Sequence, residues 1–214
     1  YRVLEKIKNS IPVCYLADHA DFALGIVTGN NKKFLSAEKT GHSEMVLKGT
    51  DICKYHINPA KQYLRFEPEQ FQQVAPLEIY RAPEKLLYRF ISNQLVVAYD
   101  DRQMLSLNSC NIVIPKIEGM QIKYILAILN SSVSQFVYQK EFHSIKVLRA
   151  HMEHIPIPRV GKAIQNEIIA MTEPLICGMG KEAAEACQKR LDCRIMDLFR
   201  LSAEEQWIIR QALH

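Results

Sequence analysis

The stretch from Leu86 to Pro115 constrains the fold more than any other. Three runs, Leu86-Leu87-Tyr88-Arg89-Phe90-Ile91, Leu95-Val96-Val97-Ala98-Tyr99 and Cys110-Asn111-Ile112-Val113-Ile114, are rich in β-branched, aromatic and other apolar residues. Asn, Asp and Ser separate them, and these side chains bond to nearby backbone and so favour turns. Short runs joined by such turns, with no helix between them, read as adjacent antiparallel strands. The next segment supplies a cover for that sheet. Met120 to Gln139 carries Ile122, Ile125, Leu126, Leu129, Val133, Phe136 and Val137 at helical spacing. It reads as one helix with its apolar stripe on the sheet. The expected class is α+β: a mostly antiparallel, β-rich module with packed helices.

The rest of the chain fits around that centre. Tyr1 to Pro12 places Val3, Leu4, Ile7 and Ile11 at helical spacing, as a short helix or a linker. Ser36 to Ser43 reads as a polar loop, and Tyr63 to Phe66 as a short strand. Between Gln70 and Arg89 the prolines at 76 and 83 leave room for a short helix before a strand enters at Leu86. Two prolines at alternate positions in His154-Ile155-Pro156-Ile157-Pro158 predict a stiff, extended exit. A boundary is placed there, giving a recognition module over 1–158 and a C-terminal helical segment over 159–214. The segment has stripes at Ile164, Ile168, Met171 and Leu175 and at Ala184, Cys187, Leu191, Ile195 and Leu198. Pro174 is expected to kink or end the first of these helices, and Ser202 to Glu205 forms a capping box before the last.

Two corners carry chemistry. In Gly25 to Leu35, GIVTGNNKKFL, apolar residues lead as a strand into Thr28-Gly29-Asn30-Asn31, and Lys32 and Lys33 follow. Gly and Asn tolerate the left-handed region, and a turn of this kind can aim backbone N–H groups at a phosphate. An ordinary hairpin turn with two solvated lysines is the alternative. In Val46 to Tyr55, VLKGTDICKY, Lys48 and Lys54 flank Gly49-Thr50-Asp51 as a strand–turn–strand corner, with a solvated turn again the alternative.

Composition limits what these corners can serve. A net charge of +4 permits a nucleic-acid partner without demanding one, and no strong basic run is present. The six cysteines show no CxxC spacing, so no zinc ribbon or redox motif is indicated and they read as reduced thiols in a cytoplasmic protein. No apolar run approaches the ~20 residues of a membrane span. An Asn/Asp-Pro-Pro-aromatic loop for holding a flipped base is missing, since Asn58-Pro59-Ala60 lacks the second proline and the aromatic. A glycine-rich cofactor strand is missing too. Asp100-Asp101 and Glu84-Lys85 are the nearest approach to a magnesium nuclease site, and they read as a turn and an incomplete pair. His151 and His154 lack a third ligand. No catalytic or metal residue is assigned.

The two corners, the 86–115 block, the helix signature Ile128-Leu129-Asn130-Ser131-Ser132 and HIPIP occur in an order that resembles the TaqI-like C-terminal specificity domains. These are target-recognition domains of adenine-specific DNA methyltransferases and of fused restriction-modification enzymes. The resemblance runs from about Ala23 to His214. It implies a non-catalytic reader of double-stranded DNA. A methyltransferase domain in cis, upstream, would take a methyl group from S-adenosylmethionine to adenine N6, with or without a fused endonuclease. The absence of an initiator Met agrees with the expectation that the chain is cut from something longer. No cofactor is expected in this portion. The expected DNA contacts, from charge and turn position, are Thr28, Asn30, Asn31, Lys32, Lys33, Lys48, Lys54, Tyr55, Arg65, Arg102, Lys140, Lys146 and Arg149. Arg81, Arg89, Tyr99, Gln103 and Asn108 are secondary candidates. A standalone magnesium-dependent nuclease and a protein-interaction module without DNA binding are the alternatives.

Overall fold

The structure, a computed structural model, describes residues 2–213. In chain order the elements are α1 (Arg2–Asn9), β1 (Val13–Cys14), β2 (Ala20–Ala23), α2 (Asn31–Phe34), β3 (Leu35–Ser36) and β4 (Glu44–Leu47). Then come β5 (Gln62–Leu64), α3 (Leu77–Tyr80), β6 (Lys85–Arg89), β7 (Val97–Asp100), β8 (Leu105–Ser106) and β9 (Cys110–Pro115). The remainder is helical apart from one strand: α4 (Ile122–Asn130), α5 (Ser132–Glu141), α6 (Arg149–Glu153), β10 (Ile157–Pro158), α7 (Lys162–Cys177), α8 (Lys181–Leu198) and α9 (Ala203–Ala212). The fold is α+β.

The three apolar runs form β6, β7 and β9, paired antiparallel as expected, with β6 in the middle and the sheet order β2-β9-β6-β7. Successive side chains along a strand point to opposite faces, and both faces here are covered. Leu86, Tyr88, Val97, Tyr99 and Val113 enter a core shared with the helices. Leu87, Ala98, Cys110 and Ile112 enter a second core against a smaller sheet, β3-β5-β4-β8. The molecule is therefore layered as helices, main sheet and small sheet. Of the strand pairs among the described residues, β4 with β8 is parallel, as are the isolated bridges of Ile26 with Leu107 and Tyr55 with Ala98.

The single helix expected over Met120 to Gln139 is two. Ser131 is extended (φ −71°, ψ 158°), and its hydroxyl accepts the Ser134 N–H at 3.2 Å to start α5. Stronger local bonds win over periodicity at this break. Asn130 is fully buried, and its side-chain amide bonds both the N–H (3.0 Å) and the carbonyl (2.8 Å) of Val97. It thus continues the hydrogen-bonding ladder on the outer edge of β7. The Ser132 N–H donates to the Asp192 carboxylate of α8 at 2.8 Å. Every residue of α4 from Tyr124 to Asn130 is buried, because the helix lies between the main sheet and α7.

HIPIP does not lead out of the module. Ile157–Pro158 pairs antiparallel with Val13–Cys14, so the chain returns to its beginning. Beyond it, Ile168, Leu175, Leu191, Ile195, Phe199 and Ile209 pack in the same core as Leu86 and Val113. The segments on either side of Pro158 thus share one apolar interior. Nor does Pro174 end its helix, for α7 runs on to Cys177. The expected second strand of the Val46–Tyr55 corner is reduced to isolated bridges, Ile52 with Ile57 and Tyr55 with Ala98. Ser36, expected in a loop, belongs to β3.

Candidate nucleic-acid interface

The two cation-flanked corners meet at one place, the crossing Leu107-Asn108-Ser109 between β8 and β9. The Ile26 N–H donates to the Ser106 carbonyl at 2.7 Å, and the Asn108 N–H returns to the Ile26 carbonyl at 3.1 Å. The Gly49 N–H donates to the Ser109 hydroxyl at 2.9 Å. Contact is so close that a side chain has no room. A Cβ on Gly25 would lie 2.0 Å from the Leu107 carbonyl oxygen, and one on Gly49 would lie 2.6 Å from that of Ser109. The glycine of each signature is required by this approach. The Ser109 carbonyl then accepts the Phe90 N–H at 3.0 Å. Past Phe90, the 145–147 segment is stitched on: Val147 N–H to the Phe90 carbonyl at 2.8 Å, Ser92 N–H to the Ile145 carbonyl at 2.9 Å, and Ile91 bridged to Lys146. One continuous rim results, built from five separate parts of the sequence.

Along the rim, the first corner is a turn with Gly29 at φ +76°, followed by the short helix α2. Its polar groups are mostly used internally. Thr28 is buried and its hydroxyl donates to Asn31 Oδ1 at 2.5 Å, while Asn30 Oδ1 accepts the Lys33 N–H at 3.2 Å. The N–H groups of Asn30, Lys33 and Phe34 are all bonded within the turn. The row of outward N–H groups expected for a phosphate is therefore partly closed, with those of Asn30, Lys33 and Phe34 already used. Lys32 is exposed and makes no ion pair among the described residues. Lys33 reaches Gln70 at 2.6 Å and lies 4.8 Å from the ring centre of Phe34. Nearby, Arg65 is exposed and pairs with Glu67 at 3.1 Å.

The second corner holds Lys48 half-buried, beside exposed Thr50. Asp51 is structural: its carboxylate accepts the Lys48 N–H at 2.8 Å and closes the turn. Arg89 is also internal, bonding the carbonyls of Gly49 (3.0 Å) and Ile52 (2.5 Å). Further along, Lys140 and Lys146 are exposed, and Lys140 shares a surface depression with Asn93, His143 and Ile145. Arg149 pairs with Glu153 at 2.7 Å and sits 5.0 Å from the ring centre of Phe22.

Other candidates fall away from the rim. Tyr55 is buried, with φ +75°, and points beneath α8. Its neighbour Lys54 donates to the Asn130 carbonyl at 3.1 Å and faces a cleft of about 480 Å³ lined by Ser132, Gln135 and Asp192. Burial lowers the Lys54 ammonium, with Asp192 pulling it back up, and burial raises the Asp192 carboxyl. The pair belongs to the helix–sheet junction. Arg102 and Gln103 lie on the turn after β7, at the opposite end of β6 from Arg89. Arg81 there pairs with Glu44 at 2.7 Å. Tyr99 faces the helices, where it bonds Glu84 and has Lys123 4.9 Å from its ring.

The residues considered for nuclease chemistry are engaged elsewhere. Lys85 and Asp100 are fully buried and paired at 2.5 Å, with burial lowering the lysine. Among the described residues no group of three or more His, Cys, Asp or Glu could hold a metal ion. No helix among them is long and apolar enough to cross a membrane.

Sequence reasoning overlooked Ser109, Ile91, Ile145 and His143. Ser109 looked like an ordinary turn residue, and only the two glycines opposite it reveal the contact. The isoleucines read as strand or loop residues, yet Ile91 is 54% and Ile145 69% exposed.

The profile of the TaqI-like C-terminal specificity domain matches residues 44–157. Among solved structures, the type IIL restriction-modification enzyme MmeI, determined in complex with DNA, aligns with a TM-score of 0.59 at 11% identity. That alignment covers 95% of this chain and 38% of the MmeI chain. A component of a type I R-M system assembly aligns over 99% of this chain and 50% of its own (TM-score 0.49, 14% identity). The HsdS subunit from Thermoanaerobacter tengcongensis does so over 99% and 48% (TM-score 0.46, 14% identity). No curated protein sequence matches significantly.

Proposed function

The chain belongs to the family of TaqI-like C-terminal specificity domains, and from that premise we propose that it reads a specific sequence on double-stranded DNA for a restriction-modification enzyme. The observation that carries the reading is the rim. Five separate stretches converge through hydrogen bonds around Leu107–Ser109 and Phe90, and with the end of α5 they display Lys32, Lys48, Lys140 and Lys146 with no acidic partner among the described residues. Free cations of this kind grip phosphates, and polar or apolar groups set between them read base edges. Exposed Asn108, at the crossing itself, is placed for such reading.

The chain spans 38% of the length of the MmeI chain it resembles. The activity of the whole enzyme is accordingly a proposal: a methyltransferase domain in cis, holding S-adenosylmethionine, would methylate adenine at N6 at the site this portion selects. The protein would act in the cytoplasm.

Binding to a randomised duplex pool over a range of salt, followed by sequencing of the bound fraction, tests the reading. The expected result is enrichment of one motif, with affinity falling linearly in log–log against salt. Neither enrichment nor a salt slope would overturn it.

A further inference from the structure

We infer that Asn108 selects an adenine, its side-chain amide bonding N6 and N7 on the major-groove edge, an assignment that rests on the DNA-recognition reading above and names the base read at the crossing. From Leu105 to Cys110 every residue is buried or half-buried except Asn108, which is exposed. The Ser109 N–H neighbourhood is closed, since its hydroxyl is taken by the Gly49 N–H at 2.9 Å. Asn111, three residues on, is buried, and its side-chain oxygen accepts the Gly25 N–H at 3.0 Å. The Asn108 amide has no such duty and bonds no other group among the described residues. Its backbone is nevertheless held on every side. The Leu107 N–H donates to the Leu47 carbonyl at 2.8 Å, the Asn108 N–H to the Ile26 carbonyl at 3.1 Å, and the Cys110 N–H closes the turn on the Leu107 carbonyl at 2.8 Å. Leu107 and Cys110 are anchored in the core beneath the small sheet. A short side chain on so fixed a base loses little freedom when a partner orders it.

The chemistry of the group names the base. An uncharged amide adds nothing to the electrostatic grip, which the lysines of the two corners supply. It offers a donor and an acceptor side by side in one plane. Adenine presents the matching pair in the major groove, an N6 donor and an N7 acceptor. Guanine presents two acceptors there, cytosine a donor, and thymine an acceptor and a methyl group, so none of them satisfies both ends of the amide. A guanidinium would favour guanine instead, and Arg89 is beside this crossing, its stem 3.4 Å from where a Cβ on Gly49 would lie. That guanidinium is already spent on the carbonyls of Gly49 and Ile52. The group left at the crossing to read a base is the amide.

The test uses the whole chain and the motif selected from the random pool. In that motif 7-deazaadenine replaces adenine one position at a time, on either strand, removing only the N7 acceptor. At one adenine the wild type should lose roughly tenfold in affinity, within the range of a bidentate base contact. Asn108→Ala should lose a similar factor on the unmodified duplex, keep the salt slope, and show no further loss with 7-deazaadenine at that position. Repeating the pool selection with the variant should relax the motif at that adenine and leave the other positions as they were. A wild type indifferent to 7-deazaadenine at every adenine would overturn the assignment, as would a motif without adenine on either strand. So would a variant that keeps its sensitivity, that weakens all sequences alike, or that relaxes the motif at a G·C pair instead. If the pool shows no motif and no salt slope, the recognition reading itself has failed, which is a separate result.

Discussion

At the scale of single residues, the fold is governed by a few positions where backbone or a charged group has no alternative. Gly25 is one, since its missing Cβ leaves room for the Leu107 carbonyl. Gly25→Ala forces backbone apart where both sides are tied by hydrogen bonds, and it should cost about 3 kcal/mol, at the upper end for an overpacked site. Urea denaturation measures it, and an unchanged midpoint would mean that the crossing is free to shift. His151 is another. It is nearly buried, stacked at 4.4 Å on Phe142, and its Nδ1 accepts the Leu148 N–H at 3.2 Å. Burial lowers its pKa below the ordinary 6.5, against a smaller upward pull from the Lys146 backbone. Between the folded value and 6.5 the unfolded chain therefore binds more protons, so stability falls as pH drops through that interval. His151→Phe keeps a ring against Phe142 and does not titrate. The stability gap between wild type and variant should narrow from about pH 7.5 to about pH 5, across the ordinary histidine range. A constant gap would show that His151 does not sense pH.

At the scale of elements, the break between α4 and α5 is where pattern and structure part. The apolar spacing from Ile122 to Val137 suits one continuous helix, and the chain makes two because Asn130 serves the edge of β7. Removing that side chain leaves the buried N–H of Val97 without a partner, while the Val97 carbonyl keeps the Tyr55 N–H at 2.7 Å. Asn130→Ala should cost about 1–3 kcal/mol, the cost of one unsatisfied buried backbone group. It should also speed amide exchange at Val97, which hydrogen-exchange mass spectrometry over β7 can follow. Loss of stability without faster exchange there would assign the cost to cavity formation instead. The same comparison shows what the residues disclosed. The strands at 86–91, 95–99 and 110–114 were legible because alternation and turn residues are local signals. The two corners were legible as motifs. Their meeting was not, because closeness of Gly25 and Gly49 to Ser109 depends on pairings far apart in sequence. Tyr55 and Lys54 looked like surface residues beside a turn, and the helical layer that covers them lies more than a hundred residues on.

At the scale of the whole molecule, the larger of the two cores is where the helical segment and the main sheet hold each other. α7, with Ile168 and Leu175, packs on α4, which in turn covers the main sheet, and α8, with Leu191 and Ile195, packs on α7 and α5 in the same core. A chain ending at Pro158 would expose that surface, and it should lack a cooperative thermal transition and near-ultraviolet circular dichroism. A sharp transition in residues 1–158 alone would show that the module stands by itself. The charge distribution also has consequences only at this scale. Each phosphate neutralised adds about 0.9 to the magnitude of the slope of log affinity against log salt on a duplex. Lys48 and Lys146 lie on the rim without acidic partners, so Lys48→Ala and Lys146→Ala should each lower the slope by about 1 and weaken all sequences alike. Lys32→Ala with Lys33→Ala should lower it by about 2. Arg102 sits at the far end of β6, and Lys54 is bonded to Asn130 beside α8. Arg102→Ala and Lys54→Met should therefore leave the slope unchanged, although Lys54→Met will alter stability. Equal effects at Arg102 and Lys146 would mean that the DNA contact runs along the sheet to the far end of β6 rather than resting on the rim alone.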